Sequence, residues 1–445
     1  MTRIIQRSLH SDADVAISGE GIRLHLASGK TVIDGSGGAA VACLGHGNAR
    51  VAAAMAAQAG TMAYAHTGFF TSEPAEALAE TLLAHEPGGL THAFFVSSGS
   101  EAMEAAIKLA RQYFVEIGQP RRTHIVARRG SYHGNTLGAL ATGGHAMRRA
   151  HFEPMLSTAF SHVSPCFAYH HQATDESDVQ YVARLAAELE AEFQRLGPDT
   201  VAAFCAEPVV GAATGCVAAL PGYFHAIREI CDRHGALLIL DEVMCGMGRT
   251  GTLHAWEQEG VAPDIQAIAK GLGGGYAPIG GILVTGSIIE GLRAGSGGFV
   301  HGQTYQAHPV ACAAALEVQR IIAEQNLVAN VARQGATLER LLTDRFGNHR
   351  HVGDLRGRGL FYALEFVEDR ATRQPFAPAQ TIADRVKRAA LDNGLGIYPC
   401  TGTLNGATGD HIIVAPPYIV DEPDLVDIVD RLGHAIDTVF EGANG

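Results

Sequence analysis

From residue 93 to residue 284 the chain repeats one pattern, a short apolar run followed by a longer amphipathic stretch. The runs at 93–96, 124–127, 201–206, 236–240, 265–269 and 281–284 carry almost no charge, as strands buried on both faces do. The stretches 101–113, 179–196 and 223–234 place apolar residues at helical spacing between them. Parallel strands need crossovers of this length, so the alternation predicts an α/β fold with a mainly parallel central sheet covered by helices. At 445 residues the chain is too long for one simple core, and this large domain is expected over residues 50–310. Beyond it come an Ala/Leu/Glu-rich helical stretch at 309–345, an alternating strand at 360–367, a helix near 381–393, short strands around Ile397 and Ile412, and a closing helix from Pro423. These describe a smaller α+β domain over 311–445, with residues 1–49 packing beside it.

In open α/β sheets ligands gather at the carboxyl edge of the strands, so the residue that ends each strand bears on the chemistry. The run 201–206 ends in Glu207, 236–240 in Asp241 and 265–269 in Lys270. A buried carboxylate beside a buried lysine is seldom a gain over apolar packing, which asks for a functional reason. Pyridoxal phosphate supplies one, because a lysine can hold its aldehyde as a Schiff base while an aspartate pairs with its pyridinium nitrogen. That aspartate–pyridinium attraction at contact is several kcal/mol at an effective dielectric of ~20.

Other motifs carry two readings each. Ser98 and Glu101 have the spacing of a capping box after a strand, and the same helix start, with Gly99 and Ser100, can take a phosphate dianion. That electrostatic contribution is ~0.3 to 2 kcal/mol, so further anchors are needed. Tyr132 in Ser131-Tyr132-His133-Gly134 is either core or a ring stacked on a flat cofactor. Thr304 lies in a loop of no special role or makes a second phosphate contact. Gly246-Met247-Gly248-Arg249-Thr250-Gly251 matches the dinucleotide-binding G-x-G-x-x-G, but no clear helical opening follows it. Ser28-Gly29-Lys30-Thr31 resembles a P-loop tail, yet Leu24 stands where its first glycine is required.

A net charge of −13 without a basic tract disfavours nucleic acid and anionic membrane as partners. No apolar run approaches the ~20 residues of a membrane span. The eight cysteines, at 43, 166, 205, 216, 231, 245, 312 and 400, form no Cys-x-x-Cys pair, and the expected setting is a reducing cytoplasm. The 22 histidines show no metal-ligand spacing, so no metal is expected.

Taken in order, Ser98-Gly99-Ser100-Glu101-Ala102, Tyr132-His133-Gly134, Glu207-Pro208, Leu240-Asp241-Glu242-Val243 with the Gly246–Gly251 run, Ala269-Lys270-Gly271, His301-Gly302-x-Thr304-Tyr305 and Gly409-Asp410-His411-Ile412-Ile413-x-Ala415-Pro416-Pro417 resemble the class III pyridoxal-phosphate aminotransferases over nearly the whole chain. The resemblance implies a fold-type I homodimer, or a larger assembly of such dimers, with active sites shared between subunits. It assigns Lys270 to the Schiff base, Asp241 to the pyridine nitrogen and Glu207 to the support of Asp241. Tyr132 and Val243 would cover the two ring faces, with His133 beside them, and Ser98, Gly99 and Ser100 would bind the phosphate together with Thr304 of the partner subunit. Tyr64, His66, Phe69 and Phe70 resemble the family's aromatic entrance, although an aromatic core patch is an equal reading. The implied reaction moves an amino group from an ω-amino acid or primary amine to a 2-oxo acid, pyruvate foremost, in ping-pong fashion. Relatives often carry an arginine just before the Asp-His-Ile segment to clasp a substrate carboxylate; residues 399–409 contain none, and Thr408 stands about where it is expected. An aminomutase or decarboxylase with the same cradle, and a nicotinamide oxidoreductase on the glycine-rich match, remain as alternatives.

Overall fold

The computed structural model describes residues 3–9 and 13–441; residues 1–2 and 10–12 of the expected N-terminal unit and 442–445 of the C-terminal one lie outside the described residues. At its centre is a seven-stranded sheet of β1 (Leu90–Val96), β2 (His124–Arg128), β3 (Phe160–Val163), β4 (Val201–Ala206), β5 (Leu237–Asp241), β6 (Ile265–Ile268) and β7 (Gly280–Thr285), in the spatial order β1-β7-β6-β5-β4-β2-β3. Strands β6, β5, β4, β2 and β3 pair in parallel, whereas β7 runs antiparallel to both its neighbours. The link from β6 to β7 holds only the short 3-10 turn Lys270–Leu272, too little for a covering helix, so the chain returns in the opposite sense.

Both faces of this sheet are covered, which is why its strands read as unbroken apolar runs. On one face α1 (Gly99–Glu116) lays Met103, Leu109 and Phe114 on Ile125, Ile239 and Ile265. On the other, α2 (Asp178–Leu196) and α3 (Tyr223–His234) bring Leu189, Phe193, Ile227 and Ile230 against Phe204, Leu238 and Leu240. Successive residues of β5 therefore serve opposite layers, each buried aliphatic chain contributing about 1.5–3 kcal/mol.

The expected 309–345 helix is two helices, α4 (Pro309–Glu324) and α5 (Leu327–Phe346), because Asn326 between them adopts φ +51°, a left-handed backbone that ends a helix. After them stands an antiparallel sheet of β8 (Val352–Gly357), β9 (Tyr362–Phe366), β10 (Tyr398–Thr401) and β11 (Asp410–Val414), ordered β8-β9-β11-β10. The N-terminal strands Ala16–Glu20, Arg23–Leu26 and Thr31–Asp34 form a meander that Leu395–Gly396 joins in parallel. Ile22, Ile33 and Leu44 share one buried cluster with Leu338, Leu364, Ile412 and Leu432.

Candidate active site

The carboxyl ends of the parallel strands open on one cavity of about 430 Å³. Ser98, Gly99, Ser100, Tyr132, His133, Glu207, Asp241, Val243 and Lys270 all line it. Register explains the acids: Leu240 of β5 lies beside Ala206 of β4, so the next residues, Asp241 and Glu207, emerge from adjacent strand ends. Lys270 follows β6 with φ +43°, a strained backbone for a residue with a Cβ, costing about 1–3 kcal/mol. Its turn is closed by the amides of Gly273 and Gly274, which donate to the Lys270 carbonyl.

Helix α1 begins at the cavity. Ser98 Oγ accepts from the Glu101 amide at 3.2 Å, while the Glu101 carboxylate accepts from Ser97 N at 2.7 Å, one residue earlier than a reciprocal capping box requires. The first-turn amides of Gly99 and Ser100 have no acceptor within their own helix and face an anion-favouring helix end. A Cβ at Gly99 would fall 2.8 Å from Val243 Cγ1, so only glycine lets this turn approach the Asp241 strand end so closely.

The acids are held by a buried network. His133 Nδ1 and Asp241 Oδ2 are 2.8 Å apart, and His133 Nε2 lies 3.8 Å from Glu207 Oε2. Val243 N donates to Asp241 Oδ1 at 3.0 Å and Tyr132 N to Glu207 Oε1 at 3.1 Å. Glu207 thus reaches Asp241 through His133 and not directly. Burial opposes a charged His133, but Cys205, Glu207 and the Asp241 hydrogen bond outweigh it and hold the imidazole well above its usual range. Lys270 keeps some accessible surface because it borders the cavity, yet protein atoms enclose it elsewhere. That burial pushes its ammonium down to about 8, with Asp241 opposing and Arg249 reinforcing the shift.

Arg249 also decides the meaning of the glycine-rich run. Its buried guanidinium donates from Nη1 to the carbonyls of Leu360 (3.0 Å) and Pro416 (2.6 Å) and lies 4.5 Å from the Tyr418 ring centroid. The run 246–251 ties the strand end to the C-terminal part of the chain, and the next helical segment is only the 3-10 turn Ala255–Glu259. It opens no dinucleotide-binding helix.

Comparison with known proteins agrees with this geometry. The family described as aminotransferase class-III matches residues 9–436. The chain is a class III aminotransferase. An uncharacterized aminotransferase of Schizosaccharomyces pombe is 47% identical over 420 residues, covering 94% of this chain and 92% of that protein. A putrescine–pyruvate aminotransferase of Pseudomonas aeruginosa is 32% identical over 424 residues, 94% of this chain and 89% of its own. The ω-transaminase of Pseudomonas jessenii, solved in complex with PMP, superposes with a TM-score of 0.91 at 32% identity, covering 97% of this chain and 94% of that one. The architecture is accordingly that of the fold-type I pyridoxal-phosphate transferases.

Five expected residues of this aminotransferase lie outside the cavity of the single chain: Thr304, Tyr64, His66, Phe69 and Phe70. The Tyr64 hydroxyl donates to the Thr304 carbonyl at 2.9 Å. His66 and Phe69 have ring centroids 5.3 Å apart, and Phe69 and Phe70 are 79% and 67% exposed, beside a second cavity of about 420 Å³ shared with Phe94 and Phe95. Conversely, three contributors went unforeseen. Arg128 ends β2 and donates to the Glu207 carbonyl at 2.5 Å; its place at a strand end was the available signal. Asn135 Oδ1 accepts from Ser100 Oγ at 2.9 Å, and the Arg148 guanidinium lies 4.4 Å from the Tyr132 ring centroid. No local pattern marks either.

Proposed function

We propose that this aminotransferase uses pyridoxal 5'-phosphate to move an amino group from an ω-amino acid or primary amine to a 2-oxo acid, with pyruvate the foremost acceptor. The observation that carries the reading is one cavity holding a lysine of depressed basicity, an oriented aspartate and a helix start whose Gly99 and Ser100 amides stay open. These donors fit the cofactor's three polar ends: an amine for the aldehyde, a carboxylate for the ring nitrogen, and amides with hydroxyls for the phosphate. The close approach at Gly99 leaves Val243 and Tyr132 on the cavity wall to cover the ring faces.

When bound, the cofactor supplies a covalent handle for amines and an electron sink. Asp241, fixed by His133 and the Val243 amide, would present its carboxylate to the ring nitrogen. Glu207 and Arg128 hold His133 and the Tyr132 backbone in place. Lys270 Nζ, with its basicity lowered to about 8, accepts the proton leaving the substrate carbon and returns it nearby. One site serves both halves of the reaction, so the kinetics are ping-pong.

The same reading includes a homodimer in which Thr304 of the partner subunit completes the phosphate site and the Tyr64–Phe70 aromatics border the entrance. It also divides the chain into a large domain over 50–310 and a small one over 311–445 with 1–49 beside it, which the shared cluster of Ile33 and Leu432 supports. All eight cysteines are buried and free, and no helix among the described residues is long and apolar enough to cross a membrane; a cytoplasmic location suits both. One relative is named for putrescine and pyruvate, and another, of Halomonas elongata, for diaminobutyrate and 2-oxoglutarate, so amine donors are common to both names and the acceptor differs. A screen of diamines, ω-amino acids and monoamines against pyruvate and 2-oxoglutarate tests this. Alanine formation from pyruvate with an ω-amine is expected; transfer to 2-oxoglutarate alone, or from none of these donors, would overturn the substrate assignment.

A further inference from the structure

The cavity poses an electrostatic problem for an oxo-acid substrate. Its walls present two buried carboxylates, Asp241 and Glu207, while its cations are Lys270, needed for proton transfer, and His133, enclosed between those acids. A substrate carboxylate entering here needs a further cation to offset its desolvation.

Two consecutive arginines end the short helix Ala146–Arg149, which stands outside the cavity lining and meets it through Tyr132. Arg149 is occupied: it donates to the carbonyls of Ala141 (2.7 Å) and Gly143 (2.8 Å) and pairs with Glu153 at 3.2 Å. Arg148 is different. It is half-buried, and among the described residues no carboxylate pairs with it. Its guanidinium instead sits 4.4 Å from the centroid of Tyr132, a ring that lines the cavity. The Tyr398 hydroxyl is a further neighbour, with Arg7 adding positive charge there, and the Cys400 thiol feels both Arg148 and Lys270. The arginine-free 399–409 segment presses on this same helix: a Cβ at Gly406 would fall 2.7 Å from Ala146 N. A guanidinium over an aromatic face presents its N–H groups at the edge; one of those of Arg148 meets the Tyr398 hydroxyl, and the others are left for a carboxylate.

Resting on the oxo-acid reading above, we propose that Arg148 binds the substrate carboxylate at the Tyr132 side of the cavity. It engages the 2-oxo acid in one half-reaction and an amino acid donor in the other. A monoamine lacking a carboxylate makes no use of it, so one enzyme accepts both kinds of donor.

The test compares the cofactor-loaded wild type with Arg148→Gln and Arg148→Lys. KM for pyruvate rises roughly 10- to 100-fold in Arg148→Gln with kcat largely kept, the size of a lost charge-assisted pair, and Arg148→Lys recovers part of it. KM for benzylamine and the cofactor's visible absorption stay the same. Propanoate, a non-reacting carboxylate, binds the glutamine variant more weakly by the same factor in calorimetry. Unchanged pyruvate KM and propanoate affinity overturn the assignment, as does an equal loss toward benzylamine with an altered absorption, which would make Arg148 a support for Tyr132. Should the wild type use no oxo acid at all, the substrate reading fails, and the propanoate titration still reports on Arg148.

Discussion

Lys270 must be uncharged to work and yet sits where a charge is costly, and the two facts are the same fact. Burial lowers its basicity from an ordinary 10.5 to about 8. Between those values the unfolded chain binds the proton that the folded one has released, so stability rises with pH across that window; below about 8 the penalty is fully present. That lowering corresponds to roughly 2–3 kcal/mol after allowing for the accessible part of the side chain. Cofactor-free Lys270→Met is therefore expected to be more stable than the wild type by about that amount at pH 7 in urea unfolding, the gap closing above pH ~10.5. Equal stabilities at pH 7 would mean that the ammonium is not desolvated. The placement of Lys270, Asp241 and Glu207 on one cavity was readable because a charged residue ending an apolar strand is a local signal. Arg148 was not, since its meeting with Tyr132 is made by tertiary packing across 16 positions of chain.

At the scale of elements, strands buried on both faces were the most legible, and β4 runs over the same residues, Val201–Ala206, as the apolar pattern. Strand β3 escaped because Phe160-Ser161-His162-Val163 lies at the sheet edge with one hydrogen-bonded neighbour, where a polar alternation is tolerated. The helical stretch expected at 309–345 is helical but divides at Asn326, whose left-handed backbone leaves the apolar spacing on either side undisturbed. The start of α1 shows how one geometry serves fold and site together: Ser98 caps the helix and its first-turn amides remain open to the cavity. Ser98→Ala should cost about 1 kcal/mol in thermal or urea unfolding, with Ser98→Thr close to wild type. A neutral alanine variant would mean that the 3.2 Å contact contributes nothing to the helix.

For the whole molecule, the sheet's carboxyl edge gathers residues spread from Ser97 to Ile279 into one cavity, with Val41 reaching it from the N-terminal segment. Ser98, Tyr132, Glu207, Asp241 and Lys270 were legible because each ends or follows a strand; Val41 was not, because no motif surrounds it. Thr304 and the exposed Phe69 and Phe70 remain outside the cavity of one chain, which is where the proposed dimer would bring in a second copy. In the proposed reaction amino groups pass through the protein in two separable halves. The direct measurement mixes cofactor-loaded enzyme with an ω-amine donor and no oxo acid, and counts the carbonyl product per active site. One equivalent forms and the reaction stops, then resumes when pyruvate is added and yields alanine. No carbonyl product, or product that accumulates without any acceptor, would contradict it.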